Sequence, residues 1–113
     1  MEFDDNRPIY LQIFDSICEK ILDGTLAPLD RILSVREFGA EIGVNPNTVA
    51  RSYEKLTDAG IIFNKRGIGY FVSAEAKDLV LEKQRREFIE NELPQIVRRM
   101  KLLGIDPAEV LGN

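Results

Sequence analysis

The sequence predicts a mainly α-helical fold with a small β-hairpin, namely a winged helix-turn-helix followed by a C-terminal helical segment. Two short amphipathic segments with helix-start signals are separated by a tight turn at Gly43. Two apolar runs typical of strands then flank a turn rich in cations and glycine. A longer helical pattern fills the remainder, so we expect one domain over residues 1–73 and a second region over residues 74–113.

Composition limits the class of protein. The chain has 113 residues with 44% hydrophobic and 30% charged side chains, as in ordinary globular proteins. Its one cysteine, Cys18, excludes an internal disulfide and a cysteine zinc cluster, and its apolar surroundings predict a buried residue. No segment is long enough to span a bilayer and the N-terminus lacks an apolar signal core, so we expect a cytoplasmic location and no membrane partner.

The sequence also argues against an enzyme. It contains no histidine, no arrangement that would activate a nucleophile and no phosphate-cradling loop. Gly67-Ile68-Gly69 is too short for such a loop and lies in a hairpin rather than ahead of a helix. We therefore predict no catalytic residues, no metal site and no cofactor.

The first helix is predicted over residues 8–22, with Pro8 at its first position and Gly24 just beyond its end. Isoleucines recur every four residues along it, which indicates a stripe that faces a core. They are Ile9, Ile13, Ile17 and Ile21.

The second helix is predicted to begin with a capping box formed by Ser34 and Glu37 and to run through Ile42. Gly43 ends it, and its buried side comprises Val35, Phe38 and Ile42. Arg36 lies in its first turn, where it could bind a phosphate. The alternative is a surface ion pair with one of the neighbouring glutamates, Glu37 and Glu41.

The third helix has an unusually well-defined start. Asn45 is a favourable N-cap, and Pro46 fixes the backbone angle at the first helical position. The helix is expected to run to about Ala59 and to stop at Gly60. Its N-terminus offers unpaired N–H groups and a positive dipole end, both of which favour a phosphate.

The two faces of the third helix differ in character. Val49, Tyr53 and Leu56 recur at helical spacing and are assigned to the core, Tyr53 in preference to a DNA contact. Polar side chains are expected on the opposite side: Asn47, Thr48, Arg51, Ser52 and Lys55. The major groove admits a helix of this kind, and asparagine and arginine can read base edges there.

A β-hairpin that follows a helix-turn-helix is a wing. Strands are predicted over residues 61–63 and 70–72, joined by a turn over residues 65–69. We expect Lys65, Arg66 and Gly67 to contact a minor groove or a DNA backbone, because the glycines make the tip thin. Alternatively, the two cations only keep the hairpin soluble.

The C-terminal helix begins at about Glu75 and carries a seam typical of coiled coils. Pro94 is expected to kink or restart the helix, Gly104 to stop it, and Asp106 with Pro107 to begin a last short helix. The seam predicts a homodimer with two-fold symmetry; the alternative is a helix that folds back on its own winged helix. The seam comprises Ile89, Leu93, Ile96, Met100 and Leu103.

Four collinear blocks resemble the N-terminal domain of the GntR family of bacterial transcription regulators. They begin at Pro8, Ser34, Gly43 and Lys65, and the resemblance covers about residues 6–73. The Asn-Pro-Asn-Thr-Val run and a tail of some forty residues look like the small YtrA-like subfamily. The resemblance implies a winged helix-turn-helix repressor that dimerises through its C-terminal helices and binds double-stranded operator DNA with an inverted repeat.

The resemblance also assigns individual positions. Arg36 matches the arginine of the family's second helix, and Gly67 matches the wing glycine. Pro46 and Ala50 stand where many members have recognition-helix arginines, so Asn47, Thr48 and Arg51 would share base readout here. Leu29 and Leu33 stand where the family usually has Gly and Pro.

About forty C-terminal residues cannot build the effector domain of larger members, so we predict no tight metabolite site within a single subunit. The sequence identifies no effector. The alternative function is a winged-helix module that binds proteins and not DNA. The net charge of −4 favours that alternative slightly, because it argues against a general nucleic-acid coat.

Overall fold

The computed structural model describes residues 2–112 and divides into two compact units, one ending at Val80 and one beginning at Leu81. The first unit contains three helices and a hairpin: α1 (Ile9–Leu22), α2 (Val35–Ile42), α3 (Pro46–Asp58), β1 (Ile62–Lys65) and β2 (Gly69–Val72). Helix α4 (Ala76–Glu87) follows. The predicted fold class is confirmed as mainly helical with one antiparallel hairpin. No helix within residues 2–112 is both long and apolar enough to cross a bilayer.

The core of the first unit is built from one face of each helix. On α1 the predicted isoleucine stripe is buried from Ile13 onward, whereas Ile9 is exposed. Cys18 is buried, as predicted. Ala76 and Val80 of α4 belong to the same core cluster, which is why this compact unit extends past residue 73 to Val80.

Helix α1 begins one residue later than predicted. Pro8 has extended backbone angles and precedes the first helical residue, rather than occupying that position. Its carbonyl accepts hydrogen bonds from the N–H groups of Leu11 and Gln12, so it still starts the helical ladder.

The turn between α2 and α3 depends on a close approach of two backbones. Gly43 adopts a left-handed conformation with φ of 70°, which favours glycine. The Val44 N–H donates to the Gly39 carbonyl at 2.9 Å. A Cβ atom on Gly39 would lie 2.7 Å from the Val44 carbonyl oxygen, closer than two such atoms can pack. Residue 39 must therefore be glycine for α2 and α3 to meet in this way.

Tyr53 of α3 joins three other parts of the unit. Its side chain is 1% exposed, so its assignment to the core is confirmed. Its hydroxyl donates to the Leu33 carbonyl at 2.6 Å, and its ring centroid lies 6.3 Å from that of Phe38 and 5.0 Å from that of Tyr70. Burial raises the pKa of the Tyr53 phenol well above its ordinary value.

The connection before α2 adds a third extended segment to the hairpin. The Leu29 N–H donates to the Val72 carbonyl, and the Ile32 N–H donates to the Tyr70 carbonyl. Arg31 also forms an antiparallel bridge with Phe71. The sequence predicted only a connection here. Leu29 has φ of 68°, a left-handed conformation that favours glycine, the residue that the resemblance led us to expect at this position.

The second unit contains a helix that changes its winding before Pro94. Residues Phe88–Glu92 form a π-helical turn, after which α5 (Leu93–Leu102) begins and α6 (Pro107–Leu111) follows. The Leu93 N–H donates to the Phe88 carbonyl, five residues back. Because Pro94 has no N–H and its ring would crowd the helix, the wider turn accommodates it, and the predicted restart is confirmed. Asp106 accepts the Ala108 N–H and caps α6, as predicted.

We expect Leu29→Gly to leave stability unchanged or to raise it by up to about 1 kcal/mol. Relief of the left-handed conformation is worth roughly 1–2 kcal/mol, and the more flexible unfolded chain offsets roughly 0.5–1 kcal/mol of that. Leu29 is 62% exposed, so little packing is lost. Urea unfolding measures the change. Leu33→Gly is the matched control and should only destabilise, because Leu33 does not have positive φ. Equal losses in both variants would contradict this account.

We expect Tyr53→Phe to lower the free energy of unfolding by about 1 kcal/mol at pH 7, since one hydrogen bond is lost. In the parent protein the raised pKa keeps Tyr53 protonated when folded. The unfolded chain releases this proton near pH 10. The contribution of Tyr53 to the free energy of unfolding is therefore fully present below about pH 10 and is lost as the pH rises further. Urea unfolding at pH 7 and pH 10.5 should show a smaller alkaline loss in Tyr53→Phe. An identical alkaline loss would contradict the assignment.

Candidate nucleic-acid interface

The start of α3 is fixed by its cap. The Asn45 side chain accepts a hydrogen bond from the Asn47 N–H at 2.8 Å, and Pro46 occupies the first helical position. The predicted cap is therefore confirmed. Asn47 and Thr48 follow in the first turn of α3, at the positive end of the helix dipole.

The outer face of α3 carries most of the predicted contact residues. Asn47, Arg51 and Lys55 are exposed, Asn45 is exposed at the cap, and Thr48 is half-buried. Val49, Tyr53 and Leu56 are buried on the inner face, as predicted. Four of the five polar helix positions thus remain accessible to a partner.

Ser52 is the exception, and its predicted place on the outer face was wrong. Its side chain is fully buried, and its hydroxyl donates to the Tyr10 carbonyl of α1 at 2.6 Å. Ser52 lies three residues after Val49 and four before Leu56, so it shares their helical face. A small side chain that satisfies a buried carbonyl fits this α1–α3 contact, whereas a DNA contact does not.

Two cations of α3 pack over two aromatic rings of α1. The guanidinium carbon of Arg51 lies 4.0 Å from the ring centroid of Tyr10, and the Lys55 Nζ lies 5.2 Å from that of Phe14. The two aromatic residues are four residues apart on α1, and the two cations are four residues apart on α3, which is the spacing of neighbours on a helix surface. The sequence does not predict this pairing from the apolar stripe of α1, because that stripe indicates only a face directed toward the core. The signal is an aromatic pair four residues apart on one helix that faces a cation pair four residues apart on another.

Arg36 is exposed in the first turn of α2. Among residues 2–112 it forms no ion pair with Glu37 or Glu41. Glu37 instead accepts the Ser34 N–H at 3.0 Å in the capping box, and this hydrogen bond lowers the pKa of its carboxyl group. Arg36 is therefore available to an external anion.

The wing presents its cations near a three-residue tip. Lys65 pairs with Gly69 at the end of the hairpin, and the connecting residues Arg66, Gly67 and Ile68 are exposed. Gly67 has φ of 80°, which accounts for glycine at the tip. The side chain of Arg31 lies beside this hairpin, because a Cβ on Gly69 would lie 3.1 Å from its Nε.

Arg31 was not among the predicted contact residues. Its place beside the wing follows from the pairing of its own segment with β2, which no local pattern in the sequence indicates. The structure thus groups an additional exposed cation with Lys65 and Arg66.

A pocket of about 450 Å³ opens beside Tyr53 between α1, α2 and the preceding connection. Two basic side chains, Lys20 and Arg31, and two acidic ones, Glu37 and Glu41, line it together with apolar residues. The balanced charges indicate no ligand class, and the absence of a tight metabolite site within one subunit stays a prediction.

The predicted seam of the second unit is largely exposed in the single chain. Ile89, Leu93, Ile96 and Leu103 are each more than one-third exposed, and Met100 is half-buried. A shallow groove of about 590 Å³ is lined by Ile89 and Leu93 together with Val97 and neighbouring residues of α5. Exposed apolar side chains in this number are typical of an interaction site.

Comparison with known proteins identifies the family. The sequence profile described as "Bacterial regulatory proteins, gntR family" matches residues 9–72, which includes α1, the helix-turn-helix and the wing. The chain belongs to the GntR family. Its members are regulatory proteins and not enzymes, so the predicted resemblance and the prediction of a non-enzymatic function are confirmed.

Individual relatives agree with this assignment. The chain is similar to the HTH-type transcriptional repressor YtrA of Bacillus subtilis, with 36% identity over 89% of this chain and 77% of that protein. A GntR family transcriptional regulator from Listeria monocytogenes has a similar structure, with a TM-score of 0.82 and 32% identity over 96% of this chain and 94% of the other. The structure of AraR(DBD) in complex with operator ORX1 matches at a TM-score of 0.59 and 25% identity, over 64% and 93% of the two chains.

Proposed function

We propose that this GntR-family protein is a cytoplasmic transcription repressor that binds an inverted-repeat operator as a homodimer. The observation that carries the proposal is the outer face of α3, which follows a tight turn and presents polar side chains from a rigidly capped start. A similar protein, YtrA, is named a repressor, and AraR(DBD) was solved with operator DNA. Both favour DNA over the alternative of a protein-binding module.

The proposed base contacts come from Asn47, Thr48 and Arg51 on α3. An asparagine amide can pair with adenine, a threonine can contact a phosphate or a thymine methyl group, and an arginine can pair with guanine. Asn45 lies at the helix start and Lys55 one turn beyond Arg51, so they would bind the flanking phosphates. The dipole of α3 also favours a phosphate at its N-terminus.

The proposed backbone contacts come from the cations around the helix. Arg36 in α2 and Lys65 and Arg66 in the wing are exposed, and Gly67 keeps the tip thin. Arg31, which lies against Gly69, extends this set. These side chains would fix the register of α3 on the duplex without reading its sequence.

The charge of the chain limits non-specific binding to DNA. Residues 1–30 hold seven acidic and two basic side chains, or −5, whereas residues 31–66 hold six basic and four acidic ones, or +2. Phosphate neutralisation supplies essentially all non-specific affinity, so a local excess this small gives little of it. Specific contacts from α3 would then account for more of the total affinity.

The proposed dimer uses the seam of the second unit. In the single chain, Ile96 of α5 and Leu103 just after it are exposed to water, and burying such a surface is favourable. A two-fold axis pairs the same surface of two subunits and presents two copies of α3 to related half-sites.

For Arg51→Ala we expect a loss of roughly 1–3 kcal/mol on a duplex selected from a random pool, with relaxed preference at one base position. For Lys65→Ala we expect a similar loss on all duplexes and a salt slope lowered by about one. Fluorescence anisotropy against selected and scrambled duplexes at several salt concentrations separates the two. Lys77→Ala is the control, since this exposed lysine lies outside the proposed interface. Identical behaviour of Arg51→Ala and Lys65→Ala would contradict the division into base and phosphate contacts.

For Ile96→Glu we expect dissociation of the dimer, because a charge would be buried in the seam. Light scattering should give about twice 12.8 kDa for the parent protein and 12.8 kDa for the variant. Gln95→Glu places the same charge on the neighbouring exposed position and should leave the mass unchanged. A parent protein of 12.8 kDa would contradict the proposed dimer.

A further inference from the structure

We propose that Tyr10 of α1 is a positioning residue for DNA readout: its ring holds the Arg51 guanidinium ready for the bases. This inference rests on the proposed function, because it assigns a role in DNA binding to a residue outside the helix-turn-helix. Tyr10 of α1 would then influence sequence specificity through Arg51, which lies on α3.

The geometry of the pair supports this role. The Arg51 guanidinium carbon lies 4.0 Å from the centroid of the Tyr10 ring, within the range of a cation–π contact. An arginine side chain has many rotamers, and a free one loses that freedom when it pairs with a base. A side chain already restrained by a ring loses less on binding, so its base contact is more favourable.

No competing partner holds Arg51 in the described part of the chain. Within residues 2–112 its side chain forms no hydrogen bond and no ion pair. The ring faces of aromatic residues attract the cation without using its N–H donors. The guanidinium therefore stays oriented while its donors remain available for an external acceptor.

The backbone that carries the Tyr10 ring is anchored to α3. The buried Ser52 hydroxyl donates to the Tyr10 carbonyl at 2.6 Å, so the backbone of residue 10 is attached to α3 next to Arg51. One turn further along, Lys55 lies over Phe14 in the same manner, at 5.2 Å. The two helices are thus in register over two successive cation–aromatic pairs, and the backbone of Tyr10 cannot shift without disturbing a buried hydrogen bond.

The test is a double-mutant cycle on duplex binding. Tyr10→Leu should weaken binding to a selected duplex about two- to fivefold, the range for an exposed cation–π contact, and leave a scrambled duplex unaffected. Tyr10→Phe is the matched control and should bind as the parent protein does, because it keeps the ring. In an Arg51→Ala background, Tyr10→Leu should have no further effect.

Three outcomes would overturn the inference or its basis. If Arg51→Ala weakens selected-duplex binding and Tyr10→Leu does not, the positioning role is wrong and the proposed function stands. If Tyr10→Leu has the same effect with and without Arg51, or weakens both duplexes equally, Tyr10 is only structural. If Arg51→Ala changes nothing, the proposed base contact itself is wrong, and the role of Tyr10 is wrong with it.

A measurement on the parent protein covers the case in which Tyr10→Leu does not fold. The ring current of Tyr10 should move the proton resonances of the Arg51 side chain upfield in the NMR spectrum of the free protein. Random-coil shifts for those protons would overturn the inference without any variant. Thermal melting of each variant establishes that the binding data come from folded protein.

Discussion

The rest of the proposed interface depends on how closely α2 and α3 approach each other. The two helices meet at Gly39, where the Val44 carbonyl occupies the space that a side chain would need. The direction of α3 relative to α2 follows from this backbone contact, because the turn between them is only three residues long. Every side chain on the outer face of α3 takes its position from that direction, including Asn47 and Arg51.

Much of the fold could be predicted because its signals are local. The capping box at Ser34, the cap at Asn45 and the glycines at the helix ends each concern groups within one helical turn. Tyr53 was assigned correctly because its spacing from Val49 and Leu56 is a property of one helix. The family resemblance added what spacing alone does not give, namely the match of Arg36 and Gly67 to functional positions.

The features that were missed involve contacts between distant parts of the chain. The polarity of Ser52 predicts the outer face of α3, but the residue lies on the inner face because the buried carbonyl of Tyr10 provides its hydrogen-bond acceptor. Arg31 lies beside the wing because it pairs with Phe71, a residue forty positions later in the chain. At Leu29 the sequence alone shows the departure from the family pattern. Only the backbone angle, with φ of 68°, shows that a leucine is strained at this position.

The uneven distribution of charge in the first unit has a further consequence for how the protein meets DNA. The first thirty residues are acidic, and the residues that follow carry a basic excess. Encounters that bring the acidic residues toward the phosphates are repelled, whereas encounters that bring Arg36, Lys65 and Arg66 toward them are attracted. The acidic residues that lower the overall attraction therefore also disfavour encounters in which they face the duplex.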